Sequence, residues 1–180
     1  MDLMPFDAIN RLENELPIYF ENGKIRSKVD LDDIIDDMFG VFLLSYARGA
    51  NAVNPGYKPT LKTVMETIDE EVDGKTWRDR MKEHYESGGT MADVVRIIET
   101  EAHRDSNAGA YKTAKAVGAK NKTWHTMEDN RVRDTHVVLD EVTAPIDGYF
   151  YTYTGERAQA PGQFGSAAED CNCRCFLTFK

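Results

Sequence analysis

The segment TMADVVRIIETEA, residues 90–102, begins the longest predicted helix of the chain. Thr90 and Asp93 have the spacing of a helix-capping pair, and the apolar residues after them recur with the 3.6-residue period of one helical face. This apolar stripe comprises Met91, Val94, Val95, Ile98 and Ala102. The pattern predicts a long central helix that runs from Thr90 towards Gly118.

The same helix carries a set of polar residues outside its apolar stripe. The set comprises Glu99, Glu101, His103, Arg104, Asp105 and Asn107. Charged helix positions are mostly exposed, so we predict that these side chains form a solvated face. For the same reason, His84 and His103 are expected at the surface.

The sequence before residue 90 predicts a helical N-terminal region. Residues 33–46 and 61–68 carry apolar side chains at helical spacing, and turn signals at Asn54-Pro55-Gly56 separate the two segments. A further helix is predicted from Thr76, with Asp79 as its capping partner. Trp77 is expected to be a core anchor of this region.

The sequence after the central helix predicts a small mixed unit. Short strands are expected at residues 122–126, 149–153 and 175–179, with a short helix at 134–139 and a loop at 158–168. Trp124 is expected in the core. The aromatic run 149–153 lacks interleaved Lys or Arg, which favours a core strand over a base-stacking surface.

Together these segments predict an α+β fold. It has a mainly helical N-terminal half with a long central helix, followed by a small antiparallel sheet and a short helix at the C-terminus. We place the N-terminal helical region at residues 1–89 and the second domain at 90–180.

Composition and charge narrow the possible functions. The 180 residues have a net charge of −9, and residues 1–90 contribute −7 of it, with 18 acidic and 11 basic side chains. Binding to the nucleic-acid backbone depends on Lys and Arg, so nucleic acid is a possible partner that the charge does not indicate. The acidic start and the absence of a long apolar run in the sequence disfavour membrane spanning and signal-peptide secretion, and a cytoplasmic origin is expected.

Three cysteines lie close together near the C-terminus, at Cys171, Cys173 and Cys175. An odd number without upstream partners argues against a disulfide scaffold. Zinc is a candidate ligand, with His136 and either Asp140 or Asp129 completing a set around Cys173 and Cys175. Side chains two apart on a straight strand are nearly 7 Å apart, so both sulfurs could bind one ion only if the backbone turns at Arg174.

Two other interpretations of this cluster stay open at the level of sequence. In the first, the reduced thiols pack in the core while Arg174 pairs with Glu101 or Asp129. In the second, a thiolate acts as nucleophile with His136 as its base and Asp140 as the orienting group. If residues 134–140 are helical, His136 and Asp140 share a face.

Two motifs in this half closely resemble the phage Mu F-like minor head protein family. The first follows Trp124 and consists of Asp129, Arg131, Arg133, His136, Leu139 and Asp140 at the family's spacing. The second consists of Glu169, Asn172, Cys173, Arg174 and Cys175 before a strand. The upstream segment that contains Glu101 is similar as well, and the resemblance covers about residues 90–179. Two departures are Cys171, at a usually apolar position, and Glu141, where glycine commonly follows Leu-Asp.

The resemblance implies a minor structural protein of tailed-phage heads, encoded by a phage or a prophage. It implies a role in head morphogenesis, portal or procapsid association, or DNA delivery, with portal and coat or scaffold proteins as partners. The expected location is the virion head, and the host cytoplasm during assembly. The family carries no catalytic activity over to this chain, and the alternative from another class is a metal- or thiol-dependent hydrolase acting during infection.

Overall fold

The computed structural model describes residues 5–180, with side chains described from Asp7 onwards. Residues 1–4 of the predicted N-terminal region lie outside this part. Its α-helices are α1 (Pro5–Glu15), α2 (Lys28–Val53), α3 (Leu61–Ile68), α4 (Trp77–Ser87), α5 (Met91–Ala116), α6 (Asp134–Val137) and α7 (Ala167–Asp170), with a 3-10 helix at Leu16–Tyr19. Its strands are β1 (Phe20–Glu21), β2 (Lys24–Ile25), β3 (Asn121–His125), β4 (Thr143–Pro145), β5 (Phe150–Tyr151), β6 (Arg157–Ala158) and β7 (Phe176–Phe179). The predicted α+β class with a long central helix is confirmed.

Helices α4 and α5 begin where the capping residues predict. Asp79 donates its N–H to Thr76 Oγ1 at 3.2 Å, and Asp79 Oδ2 accepts the Thr76 N–H at 3.1 Å. Asp93 Oδ2 accepts the Thr90 N–H at 3.0 Å. These bonds satisfy backbone donors that a helix start leaves unpaired, which fixes both starts.

The N-terminal helices bury their apolar stripes against α5 and form the first hydrophobic core. The stripes contribute fully buried residues that include Ile34, Met38 and Phe42 of α2, Trp77 and Met81 of α4, and Val94 and Ile98 of α5. The rings of Phe42 and Trp77 meet edge to face at 5.0 Å between centroids. Trp77 is therefore the core anchor that the sequence predicts.

Helices α2 and α5 cross at very short range because each has a glycine at the crossing. A Cβ at Gly49 would lie 1.8 Å from the backbone oxygen of Ser106. A Cβ at Gly109 would lie 2.2 Å from the backbone oxygen of Tyr46. Any larger side chain at either position must push the two backbones apart.

The predicted solvated face of α5 is largely wrong. Glu99 is exposed, but Glu101, Arg104, Asp105 and Asn107 are at most 6% exposed. Helix α5 is central, and other elements cover it on several sides. The helical period shows which residues share a face, whereas it does not distinguish a solvated polar face from a buried hydrogen-bonded one.

Arg104 shows how part of this buried face is hydrogen-bonded. Its guanidinium donates to three backbone oxygens where α3 ends, namely Thr67 (3.3 Å), Ile68 (2.9 Å) and Glu70 (2.9 Å). A cation at a helix C-terminus also interacts favourably with the helix dipole. Arg104 therefore holds α3 against α5.

The C-terminal unit is built on β3, the middle strand of an antiparallel sheet with the order β4-β3-β7. Trp124 of β3 lies opposite Leu177 of β7 and is fully buried. Around it the second core comprises Tyr111, Leu139, Ala144, Phe150, Ala160, Cys173, Cys175 and Leu177. The predicted core position of Trp124 is confirmed, whereas β4, β6 and α7 are elements that the sequence did not predict.

Two predicted elements are shorter than expected. Helix α6 ends at Val137 rather than Leu139, and only Phe150 and Tyr151 of the 149–153 segment are in a strand. Phe150 is buried, whereas the side chains of Tyr149, Tyr151 and Tyr153 are 40%, 58% and 65% exposed. The core-strand prediction is wrong for the three tyrosines, because only alternate side chains of an extended segment face one side.

Helix α5 joins the two cores. Its first half packs in the first core, and Tyr111 near its end packs in the second. The predicted boundary falls in the Gly88-Gly89 turn, yet α5 buries its side chains against helices on the other side of that boundary. The division at residues 89 and 90 stays a prediction. In the described part of the chain, no helix combines the length and the apolar character needed to cross a bilayer.

Candidate functional site

His136 lies at the centre of the second core. It is on α6 and only 1% exposed. Its ring stacks on Phe164 at 5.3 Å between centroids and meets the edge of Trp124 at 5.6 Å. These two aromatic contacts fix the orientation of the imidazole ring.

The sulfurs of Cys173 and Cys175 both lie close to this ring. His136 Nδ1 is 3.8 Å from Cys173 Sγ and 3.6 Å from Cys175 Sγ. Both cysteines are buried, and neither is in a disulfide. The structure thus brings together three of the four residues that the sequence proposed as metal ligands.

The two cysteines follow a backbone turn and precede β7. Asn172 has a φ of +55°, and the Cys173 N–H bonds to the Asp170 oxygen at 3.2 Å. Strand β7 begins only at Phe176, so Cys173 and Cys175 precede the regular strand. This turn lies at Asn172, where Asn tolerates the left-handed conformation better than most residues. It precedes both cysteines, so it is not the turn predicted at Arg174.

Asp140 is not part of this cluster. Its Oδ1 accepts the Thr126 N–H at 2.6 Å, which ties the end of the α6 segment to the end of β3. With His125 and Glu141 it forms a separate, more exposed group of potential ligands. Asp140 is therefore not the partner of His136 that the sequence led us to expect.

Glu169 takes the place next to His136 that the sequence assigned to Asp140. Its Oε2 lies 3.1 Å from His136 Nε2 and accepts a hydrogen bond from Thr135 Oγ1 at 2.7 Å. Glu169 is buried and lies on α7, 33 positions from His136. Its place in the second motif was visible in the sequence, but nothing there indicated its contact with the imidazole.

Arg174 and Asp129 join the two motifs on the outside of the site. Two parallel hydrogen bonds run from the guanidinium to Asp129, from Nη1 to Oδ2 at 2.8 Å and from Nη2 to Oδ1 at 2.6 Å. The Arg174 hydrogen bonds lower the pKa of Asp129 to about 2. Of the two carboxylates that the sequence proposed for Arg174, the structure pairs it with Asp129.

The other proposed carboxylate, Glu101, lies in a different network. Its Oε1 is 2.6 Å from Arg80 of α4, and its Oε2 is 3.0 Å from Arg104. Asp105 is buried beside this pair, and burial raises its pKa well above the ordinary value for a carboxyl group. Glu101 therefore stabilises the packing of α4 on α5 and does not contact the cysteine segment.

Helix α5 contacts the cysteine segment through other polar side chains. His103 Nε2 and Asn107 Nδ2 lie 2.8 Å and 3.1 Å from the Cys175 backbone oxygen. Thr100 Oγ1 accepts the Asn172 N–H at 3.1 Å. His103 is thus in a contact between elements rather than at the expected surface position, and burial lowers its pKa.

The remaining arginines of the first motif lie near the cluster. Arg133 Nη2 donates to the Cys171 backbone oxygen, and the Arg131 N–H donates to Asp129 Oδ1 at 3.0 Å. The Arg131 side chain lines a cleft of about 750 Å³ between α1, α2, α5 and the cysteine segment. The two motifs therefore form one hydrogen-bonded unit that is packed on α5.

This unit lies within the segment that matches a known family. The model of the family described as "Phage Mu protein F like protein" matches residues 61–178, about two thirds of the chain. The chain belongs to the Phage Mu protein F like family. The match includes His136, Cys173 and Cys175, and it begins about 30 residues before the resemblance that the motifs suggested.

Two curated relatives of this family member are similar over half of its length. One is the minor head protein GP7 of Bacillus phage SPP1, 36% identical over 93 residues, which are 50% of this chain and 30% of that protein. Another is the NAD(+)--arginine ADP-ribosyltransferase EFV of Enterococcus faecalis, 36% identical over 94 residues, which are 50% of this chain and 19% of that protein. The chain therefore corresponds to less than a third of each relative. No solved structure matches it.

The two departures from the family pattern have different structural settings. Glu141 has a φ of +59°, a conformation that glycine adopts at little cost and other residues adopt rarely. Cys171 is partly exposed and lies outside the group formed by His136, Cys173 and Cys175. Glu141 thus keeps the backbone turn that the family's glycine suits, and Cys171 takes no part in the cluster.

Proposed function

We propose that this chain is a minor head protein that acts in the morphogenesis of a phage or prophage head. The observation that carries the proposal is the family match over residues 61–178, together with the similarity to a minor head protein. The matched segment contains α3 to α7 and both motifs. These elements share one packed unit, which suits a structural role in a particle.

The similarity to the ADP-ribosyltransferase of Enterococcus faecalis supports the same proposal, although that protein is named as an enzyme. Each relative matches about half of this chain at the same identity, although one is named a transferase and the other a head protein. We infer that both contain a segment related to this chain, and that the transferase activity belongs to the rest of the larger protein. This chain corresponds to only 19% of that protein.

We further propose that the chain associates with portal and coat or scaffold proteins in the virion head, after assembly in the host cytoplasm. The exposed face of α2 carries four carboxylates, at Asp32, Asp33, Asp36 and Asp37. Such a surface repels DNA phosphates and attracts basic protein surfaces. A protein contact is therefore favoured over direct DNA binding, and any role in DNA delivery would follow from position in the particle.

The hydrolase alternative fits the geometry less well. A nucleophilic thiolate must reach a substrate, but Cys173 and Cys175 are only 4% and 3% exposed. His136, which would act as the base, is 1% exposed. The residues that would carry out the reaction are enclosed by the second core, so the arrangement serves stability better than turnover.

Detection in purified particles tests the proposed function. Virions and procapsids from the phage or prophage that carries the gene are purified, and their peptides are identified by mass spectrometry. We expect the chain in both particles at low copy number. Deletion of the gene should reduce the yield of infectious particles, and the parent gene supplied in trans should restore it.

Two charge variants make the test specific for the acidic face of α2. Asp32→Lys combined with Asp36→Lys should reduce incorporation, whereas Glu86→Lys on α4 adds one similar exposed change elsewhere and should be incorporated normally. Equal incorporation of both variants would contradict the proposed contact surface. Absence of the parent chain from particles would contradict the head-protein function itself.

A further inference from the structure

The buried group of His136, Cys173 and Cys175 has the composition and spacing of a zinc site. Zinc binds thiolate sulfur at about 2.3 Å and imidazole nitrogen at about 2.0–2.1 Å in tetrahedral geometry, which places sulfur and nitrogen about 3.6 Å apart. The two distances from His136 Nδ1 to the sulfurs are 3.6 Å and 3.8 Å. All three ligand atoms lie within 4.8 Å of one another.

A carboxylate lies beside the second ring nitrogen of the His136 imidazole. Metal-binding histidines usually direct their second ring nitrogen towards a carboxylate or carbonyl group. Here His136 Nε2 lies 3.1 Å from Glu169 Oε2, and Thr135 holds that same oxygen. The other ring nitrogen, Nδ1, is the one that lies close to the two sulfurs.

We propose that His136, Cys173 and Cys175 bind one Zn²⁺ and supply three of its four ligands. The ion joins α6 to the segment before β7, so it links the two family motifs from the inside while Arg174 and Asp129 link them from the outside. A small core gains most from such a link. The role is structural because the three side chains are buried. The proposal concerns this site alone and does not depend on the head-protein function.

Metal analysis of the full chain tests this proposal. The protein is purified under reducing conditions without chelator, and zinc is measured by mass spectrometry against protein concentration. We expect about one zinc per chain, and a lower melting temperature after removal by a chelator, because the metal binds only the folded state. Apo-protein titrated with Co²⁺ should develop the intense near-ultraviolet absorption of thiolate-to-cobalt charge transfer.

The third cysteine provides a matched control. Cys173→Ser and Cys175→Ser should lose most of the bound zinc and the cobalt absorption, whereas Cys171→Ser should keep both at the parent level. If the first two variants fail to fold, the cobalt spectrum of the parent chain and the change in its melting temperature with chelator still test the proposal.

Two results would overturn the proposal. One is a reduced parent chain that binds neither ion and whose melting temperature is unchanged by zinc or chelator, which would leave the thiols as packed core residues. The other is a Cys173–Cys175 disulfide as the stable state under the reducing conditions used for purification.

Discussion

Two partly exposed side chains, Asp129 and Arg174, connect the loop before α6 to the cysteine segment. The planar guanidinium and the carboxylate form two parallel hydrogen bonds, a geometry that lysine cannot reproduce. Asp129 also accepts the Arg131 N–H, so one carboxylate orders both its own turn and the approach to β7. This pair is the clearest contact between the two motifs.

The contribution of Asp129 to stability should depend on pH. Its pKa is lowered to about 2 in the folded chain, against about 3.9 for an unperturbed Asp. A carboxyl group whose pKa is lowered in the folded state stabilises the fold at pH values above its unfolded-state pKa. This contribution is lost as the pH falls through its folded-state pKa. In urea unfolding, the parent should therefore exceed Asp129→Asn in stability at pH 5, and the difference should disappear as the pH falls through about 2.

Glu128, the exposed carboxylate next to Asp129, provides the control for the urea unfolding measurement. Glu128→Gln removes a charge one position away without breaking the contact with Arg174, so it reports the general effect of acid on the chain. A difference between parent and Asp129→Asn that stays constant from pH 5 to pH 2 would contradict the assigned role of the ionised carboxylate.

The environment of Lys122 could not be predicted from the local sequence. Lys122 lies in β3 as predicted, but it is fully buried, with its Nζ 4.3 Å from the centre of the Tyr111 ring. Burial lowers its pKa to about 8. A strand pattern does not reveal this environment, because Tyr111 comes from the end of α5.

At the scale of elements, the crossing of α2 and α5 organises the helical half. The glycines at the crossing allow the two backbones to touch, so α5 lies deep between its neighbours. That depth explains why its polar side chains are buried in ion pairs and hydrogen bonds. Helix starts could be predicted because caps and apolar stripes are local in sequence, whereas the distance between two helices depends on residues 60 positions apart.

Substitution at this crossing should be costly. Gly49→Ala places a Cβ against the backbone oxygen of Ser106, and we expect it to destabilise the chain by about 1–3 kcal/mol because the helices must separate. Gly40→Ala in the same helix meets nothing within 4 Å and should stabilise the chain by up to about 1 kcal/mol, since alanine favours helix. Chemical denaturation of both variants measures the contrast. Similar effects of the two substitutions would show that α2 and α5 do not cross this closely.

At the scale of the whole molecule, α5 makes the two halves depend on each other. Its first half fills the first core, and its contacts with the Cys175 oxygen and Asn172 fix the second motif. The predicted domains at residues 1–89 and 90–180 would therefore each lose a large buried surface if separated. The family match supports this interdependence, since it begins at residue 61 rather than 90.

Division of the chain in the Gly88-Gly89 turn tests this interdependence. The fragment 90–180 alone should unfold without a sharp transition in circular dichroism, because the apolar stripe of α5 has no partner. Coexpression with fragment 1–89 should restore a folded complex, since only a turn has been cut. A fragment 90–180 that melts as cooperatively as the full chain and does not bind fragment 1–89 would instead support two independent domains.

The sequence by itself determined the starts of α4 and α5, the α+β order, the buried tryptophans and the two motifs that mark the family. These features depend on residues close together in the chain or on short patterns with fixed spacing. Only the tertiary structure decided that Glu169 rather than Asp140 faces His136, that Arg174 pairs with Asp129 rather than Glu101, and that two sulfurs meet one imidazole. Such contacts join residues 30 to 45 positions apart, and their distances depend on how the turn at Asn172 and the packing on α5 bring separate elements together.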